Sequence, residues 1–270
     1  DLFLDKTLED MNLEYNDGFS GKLHPVFSTS NYRKSIFQKS PHYENRAELP
    51  LFNLFKLHGS VTWKQDDDKI IFDSNLSILN EISSVNVDGK VIQDFNNGNV
   101  PKAITELERE VGTKSLVYDT SLKQFNEAYD KLVIINPTKE KFITTTVQYT
   151  FYELLRMYSN ELEKENSILF VMGFSFADEH IREITKRVAN SNPTLLICIF
   201  AYNESSKNDI ETKLNMQDFK FRNVETLVVG DLASINKLWF SKLANELDEE
   251  LFSKKKSDLT VNVTIPPTTA

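Results

Sequence analysis

Only one cysteine, Cys198, occurs in the chain. A single thiol forms neither a disulfide framework nor a cysteine-based zinc site. It lies inside the apolar run TLLICIF, where it reads as a small core residue. Glycine is also scarce, eight in 270 residues, and no two stand as G-x-G. The dinucleotide fingerprint is therefore missing, and so are the G-K-[ST] of a P-loop and the G-x-S-x-G of a hydrolase elbow. No segment reaches the roughly 20 apolar residues that span a bilayer, and the opening residues lack the basic-then-apolar layout of a secretory leader, so the expected compartment is the cytosol. Basic excess is absent too. Lysine and arginine number 31 against 40 acidic residues, a net charge of -9, which argues against sequence-independent nucleic-acid binding.

What is present is the composition of a globular protein, 40% hydrophobic and 26% charged. The length suits one large domain carrying an insertion. Leu4, Leu8 and Met11 recur at helical spacing, which predicts a helix over Leu2–Leu13. With no initiator methionine and no polar lead, the chain reads as one cut into, with elements expected upstream of Asp1. Residues 16–50 hold Gly18, Gly21, Pro25 and Pro41 and show little period, so an irregular excursion is expected there. Leu51–Leu57 reads as a strand. Residues 64–130 alternate short apolar pieces, such as KIIFD, with polar turns, as hairpins or an irregular insertion would. The acidic run Asp66 to Asp68 reads as a solvated turn.

From Lys131 on the pattern becomes regular. KLVIIN is a strand closed by Pro137, and Phe151, Leu155, Tyr158 and Leu162 mark a long helix with one apolar face. SILFVMGF, TLLICIFAY and VETLVVG are short continuous apolar runs. Each is followed by a helix: one carrying Ile181, Ile184 and Val188, a polar one over about Ser205–Leu214, and one from Leu232 towards Leu251. Strands alternating with helices in this order predict an α/β fold with a parallel sheet covered by helices on both faces. The expected domain is 1–252, with 253–270 as a linker or tail.

Ligands bind such sheets outside the carboxyl ends of the strands. Four strand ends carry small or polar residues there: His58, Gly59 and Ser60 after Leu57; Gly173, Phe174, Ser175 and Phe176 after Met172; Tyr202 and Asn203 after Phe200; Gly230 and Asp231 after Val229. Ser175 with Asp178 fits the S-x-x-[DE] capping box, which would start a helix whose backbone N–H groups attract a phosphate or ribose hydroxyl. Each feature also has a plain structural explanation: His58 can end a strand, Asn203 can cap a helix, and Gly230 with Asp231 can turn the chain. His180 falls in a first helical turn facing solvent, and His24 and His42 lie in irregular sequence. Asn31 and Tyr32, in FSTSNYR, resemble an active-site pair but follow no strand.

KLHGSVTW (56–63), NPTKEKF (136–142), VMGFSFADEHI (171–181) and the closing VVGDLASINKLW together resemble the bacterial sirtuin-like domains of antiphage defence proteins, over most of the chain. The resemblance implies a Rossmann-like sheet that binds NAD, with many members hydrolysing it to ADP-ribose and nicotinamide. Carried across, His58 with Gly59 matches the active-site HG pair, and Gly173, Phe174 and Ser175, with Asp178 beyond them, match the motif at the nucleotide ribose and phosphate. Asn203 falls near the adenosine ribose, while Gly230 and Asp231 fall near the adenine end. Family members begin with a glycine-rich phosphate loop and a T-T-N-Y-D strand; Asp1 would be the last residue of that motif, with its essential asparagine upstream.

The function so implied is NAD glycohydrolysis, an antiviral effector activity that depletes NAD. The bond to nicotinamide breaks through a cation-like ribose carbon, and His58 would act as a general base on water or a ribose hydroxyl, since imidazole ordinarily titrates near about 6.5. NAD is then the substrate and no metal is required. The alternatives are an NAD or ADP-ribose sensing module without chemistry, and protein deacylation, which the lone cysteine disfavours. The resemblance further implies a homo-oligomer working beside a partner such as a HerA-type ATPase or an Argonaute-like protein.

Overall fold

The computed structural model describes residues 2–41, 44–85, 120–135 and 145–247. Asp1, His42, the stretch 136–142, the middle of the expected insertion (86–119) and the expected tail (253–270) lie outside the described residues. The chain divides into two compact units, Asp1–Arg156 and Met157–Ala270.

The first unit opens with α1 (Phe3–Asp10), the helix predicted from its leucine spacing, followed by β1 (Tyr15–Asn16), β2 (Phe19–Ser20) and β3 (Val26–Phe27). A 3-10 turn at Thr29–Arg33 leads to β4 (Phe37–Lys39), β5 (Arg46–Glu48) and β6 (Phe52–Asn53). Then come β7 (Gly59–Asp66), β8 (Lys69–Phe72), α2 (Ser77–Ser84), α3 (Thr120–Tyr129) and β9 (Leu132–Ile134). Five strands form one sheet in the order β2-β3-β8-β7-β9, every neighbouring pair antiparallel.

Asp66 opposite Lys69 leaves Asp67 and Asp68 as a two-residue hairpin turn, with Asp67 at φ 48, a conformation that a short polar side chain tolerates. The acidic run is a turn, as its sequence predicts. Trp63, 1% exposed, centres the core of this unit: Phe27 lies 4.6 Å from its ring, Phe19 6.0 Å, and Phe151 stacks on it at 6.4 Å.

One expectation fails here. Over Leu51–Leu57 only Phe52–Asn53 is extended, and the long strand begins at Gly59 instead. His58 therefore stands before a strand rather than after one. The cause is local, since Leu54 gives its carbonyl to the Tyr32 hydroxyl at 3.0 Å and Leu57 with His58 forms a turn closed by the Gly59 N–H on Lys56 O at 3.0 Å. KLVIIN holds the strand read from its sequence: Leu132–Ile134 forms β9, which pairs antiparallel with β7.

The boundary between the units falls inside α4 (Thr145–Leu162). The second unit continues with β10 (Ile168–Met172), α5 (Glu179–Ala189), β11 (Leu196–Ala201), α6 (Glu204–Leu214), β12 (Val224–Val228) and α7, which starts at Leu232 and takes a wider π-type turn at Asn236–Phe240. The strands form a parallel sheet in the order β10-β11-β12. Alternation along each strand sorts its side chains between two faces. Val171, Ile197, Ile199 and Ala201 point into a core closed by Val188, Ala189, Ile210 and Leu214 of α5 and α6. Ile197, Ile199, Val188 and Leu214 are wholly buried, each such side chain contributing about 1.5–3 kcal/mol. On the other face Phe170 and Phe200 meet Trp239 and Phe240 of α7.

The whole is a mixed α/β protein: in the first unit β1 pairs parallel with β6, and in the second β10, β11 and β12 form a parallel sheet. It is not a single Rossmann-like sheet among the described residues. No helix among those residues is long and apolar enough to cross a membrane.

Candidate functional site

Strand register builds the site of the second unit. Met172 stands beside Phe200 and Ala201 beside Val228, so the three parallel strands stop level and their loops leave the sheet side by side at its carboxyl edge. This is the edge where open parallel sheets bind ligands.

The first loop runs from Gly173 to Asp178. Gly173 has φ 66, and a Cβ built on it would meet nothing within 4 Å. Glycine here serves the backbone angle and leaves the space above it open. Phe176 also adopts a positive φ, 54, although it is 1% exposed. A left-handed aromatic residue costs roughly 1–2 kcal/mol. Two contacts hold it: its ring meets that of Phe174 at 5.0 Å, and Arg182 Nη1 donates to its carbonyl at 3.1 Å. Between the two anchored phenylalanines, Ser175 is exposed.

The capping box does not form in the predicted register. Asp178, not Ser175, is the N-cap of α5, accepting from the Ile181 N–H at 3.0 Å. The intervening residues are spent on the bent loop, so the helix starts three residues late. In the second loop Asn203 caps α6 through the Ser206 N–H at 2.8 Å, and Tyr202 beside it is 66% exposed. In the third, Gly230 has φ 101 and Asp231 caps α7 through the Ser234 N–H at 2.8 Å. Hydrogen bonds from the Ser234 hydroxyl and N–H hold the Asp231 carboxyl below the ordinary carboxylate range.

These caps decide what the edge can bind. A carboxylate on the start of α5 and another on α7 offset the positive end of each helix, which disfavours a phosphate at either place. Asn203 itself adds no charge to the start of α6, where Glu204 stands in the first turn. Carboxylates accept hydrogen bonds from vicinal hydroxyls, so Asp178 and Asp231 suit sugar hydroxyls, while the Asn203 amide suits a hydroxyl or an amide and the open Gly173 backbone lets a phosphate approach.

The remaining candidates lie in the first unit. His58 is exposed on its turn, and its carbonyl accepts from the Ile135 N–H at 2.9 Å. Gly59 has φ 80, and a Cβ there would stand 2.0 Å from Val133 O, so only glycine lets β7 meet β9. Asn31 is structural: it is 6% exposed and donates to Gly18 O at 2.8 Å. Thus Gly173, Phe174, Ser175, Asp178, Asn203, Gly230 and Asp231 share one sheet edge, while His58 and Gly59 belong to the other unit. Asp1 lies outside the described residues.

Cys198 is half-buried, and burial pushes its thiol up, away from a nucleophile's range. Among the described residues no three His, Cys, Asp or Glu side chains gather as metal ligands would. Sequence reasoning passed over Arg182, which fixes the loop, and Lys56, buried two residues before His58. The signal for Lys56 was legible as a lone charge inside the run LFKLHG.

One known protein family, described as the SIR2-like domain, matches residues 122–222. The match takes in β9 to α6, with Gly173, Ser175, Asp178 and Asn203, and leaves His58 and Asp231 outside. It points to an NAD-related function. No curated protein matches the chain.

Proposed function

We propose that the protein is an NAD glycohydrolase. The observation that carries this is the level carboxyl edge of the parallel sheet, where Gly173, Ser175, Asp178, Asn203 and Asp231 stand within the stretch matched as SIR2-like or one strand beyond it. Two hydroxyl-accepting carboxylates, a neutral cap and an open glycine are the functional groups that a molecule of two riboses joined by a pyrophosphate requires.

In the reaction the bond between nicotinamide and ribose breaks, and its electron pair stays with the nicotinamide nitrogen, which leaves neutral. Water adds to the cation-like ribose carbon and gives up a proton. By the resemblance to sirtuin-like domains, the role of general base for that proton falls to His58, which passes it to solvent. Hydrogen bonds on Asp178 at the ribose and on Asp231 towards the adenine end keep the dinucleotide still while the bond lengthens. The function suits an antiviral effector that empties a cell of NAD, working as an oligomer or beside a HerA-type ATPase.

Nicotinamide release from NAD, measured for the parent and for His58→Ala, tests this directly. Release by the parent, reduced at least about 100-fold in the variant with folding intact, is the expected result. A parent that NAD stabilises against heat but that frees no nicotinamide would be a sensing module instead. Release that appears only with an acylated peptide would make it a deacylase.

A further inference from the structure

A buried ammonium lies two residues before His58. The Lys56 side chain is 6% exposed and that of Asp5, on α1, 16%. Lys56 Nζ stands 2.9 Å from one Asp5 carboxylate oxygen and 3.0 Å from the other, and donates to Ser60 Oγ at 3.2 Å. Alternation along β7 sets Ser60 and Thr62 on one face, and both are buried. Their hydroxyls are 2.9 Å apart, and the Thr62 N–H reaches Ser60 Oγ at 3.3 Å. A connected polar chain thus runs from α1 through Lys56 into β7 and brackets Leu57, His58 and Gly59.

Stability alone does not account for an ion pair in this place, because two apolar residues of similar volume stabilise a buried site as well or better. What an apolar pair lacks is direction. The ammonium binds oxygens only along its three N–H vectors, so it fixes where the chain leaves Lys56 and enters Ser60. The same turn is held on its backbone side by Gly59 N–H on Lys56 O and Ile135 N–H on His58 O.

We propose that Lys56 is a positioning residue: with Asp5 and Ser60 it locks the turn that presents the His58 imidazole. This role rests on the NAD-hydrolysing function proposed above, in which His58 moves the proton.

The test replaces both charges at once, Lys56→Met with Asp5→Leu, so that neither is left unpaired in the interior. Amide hydrogen exchange is followed at Gly59 and Ile135, whose N–H groups close the turn, and at Ile71 and Phe72 in the neighbouring hairpin. In the double variant the first two exchange at least about tenfold faster while the hairpin amides keep the parental rate. In the same preparations kcat for nicotinamide release falls about tenfold or more with KM unchanged. Unchanged exchange at Gly59 and Ile135, or an equal acceleration at all four positions, would overturn the proposal and leave a purely structural pair. If the parent frees no nicotinamide, the hydrolase function fails, and the exchange comparison still decides the positioning role. Should the double variant not fold, Lys56→Arg carries the same comparison, since a planar guanidinium keeps the charge but not the geometry.

Discussion

The carbonyl of Val133 occupies the place where a side chain on Gly59 would begin: the two would be 2.0 Å apart, at a residue whose φ is already 80. Both facts penalise substitution. Gly59→Ala adds the left-handed cost of roughly 1–2 kcal/mol to an overpacking cost of roughly 1–3 kcal/mol. A loss of about 2–5 kcal/mol is expected, read as a fall in the denaturant midpoint. Stability within 0.5 kcal/mol of the parent, allowing ~0.5 kcal/mol as the ordinary surface range, would mean that β7 and β9 do not approach as closely as they stand here.

Gly173 makes the opposite case. Its φ of 66 is similar, yet nothing stands within 4 Å of a Cβ built on it. Gly173→Ala should therefore cost only the backbone term, about 1 kcal/mol. If a nucleotide lies against this backbone, NAD affinity falls by about tenfold or more, an effect out of proportion to the stability loss. Calorimetric titration with NAD of the parent and variant checks it. Equal affinities would remove Gly173 from the site.

How far these features could be read in advance differs between the two units for a physical reason. β10, β11 and β12 are continuous apolar runs because parallel strands are covered on both faces, and such runs stand out in a sequence. In the first unit β1, β2, β3 and β6 have two residues each, too short to show any period. That is why the apolar stretch before His58 passed for a strand although only Phe52–Asn53 is extended. The residues at the sheet edge were legible as a set, but their roles were not. Asp178 rather than Ser175 caps α5 because Phe176, bent to φ 54 and buried, delays the helix, and no pattern of residue types encodes that bend. Lys56 with Asp5 is a contact across 51 positions, beyond the reach of any local spacing.

Asn31 offers a check on the division between chemistry and structure. Its amide, buried, donates to Gly18 O, and its carbonyl accepts from Asn16 Nδ2 at 2.8 Å, so the residue ties the 3-10 turn to the β2 region. Asn31→Ala leaves Gly18 O with only the Ser28 N–H, 2.9 Å away, and should lower stability by roughly 0.5–1.5 kcal/mol. Nicotinamide release per folded molecule should stay at the parental level, measured below the melting transition of the variant. A specific loss of turnover with stability intact would instead make Asn31 part of the chemistry.

The cap at Asp231 predicts a pH dependence with a definite sign. Its folded carboxyl titrates below the ordinary value of 3.8, first because the Ser234 hydroxyl donates to it and then because the Ser234 N–H does. A group whose folded pKa is depressed adds stability above its unfolded pKa and loses it as the pH falls through the folded one. Asp231→Asn keeps a competent cap, since asparagine serves that position about as well, and removes only the charge. The melting temperature of the parent should therefore exceed that of Asp231→Asn at neutral pH, and the gap should close as the solution is taken below the ordinary carboxylate range. Thermal melts at a series of pH values read it directly. A gap that persists or widens in acid would show that the carboxylate does not hold α7 through Ser234.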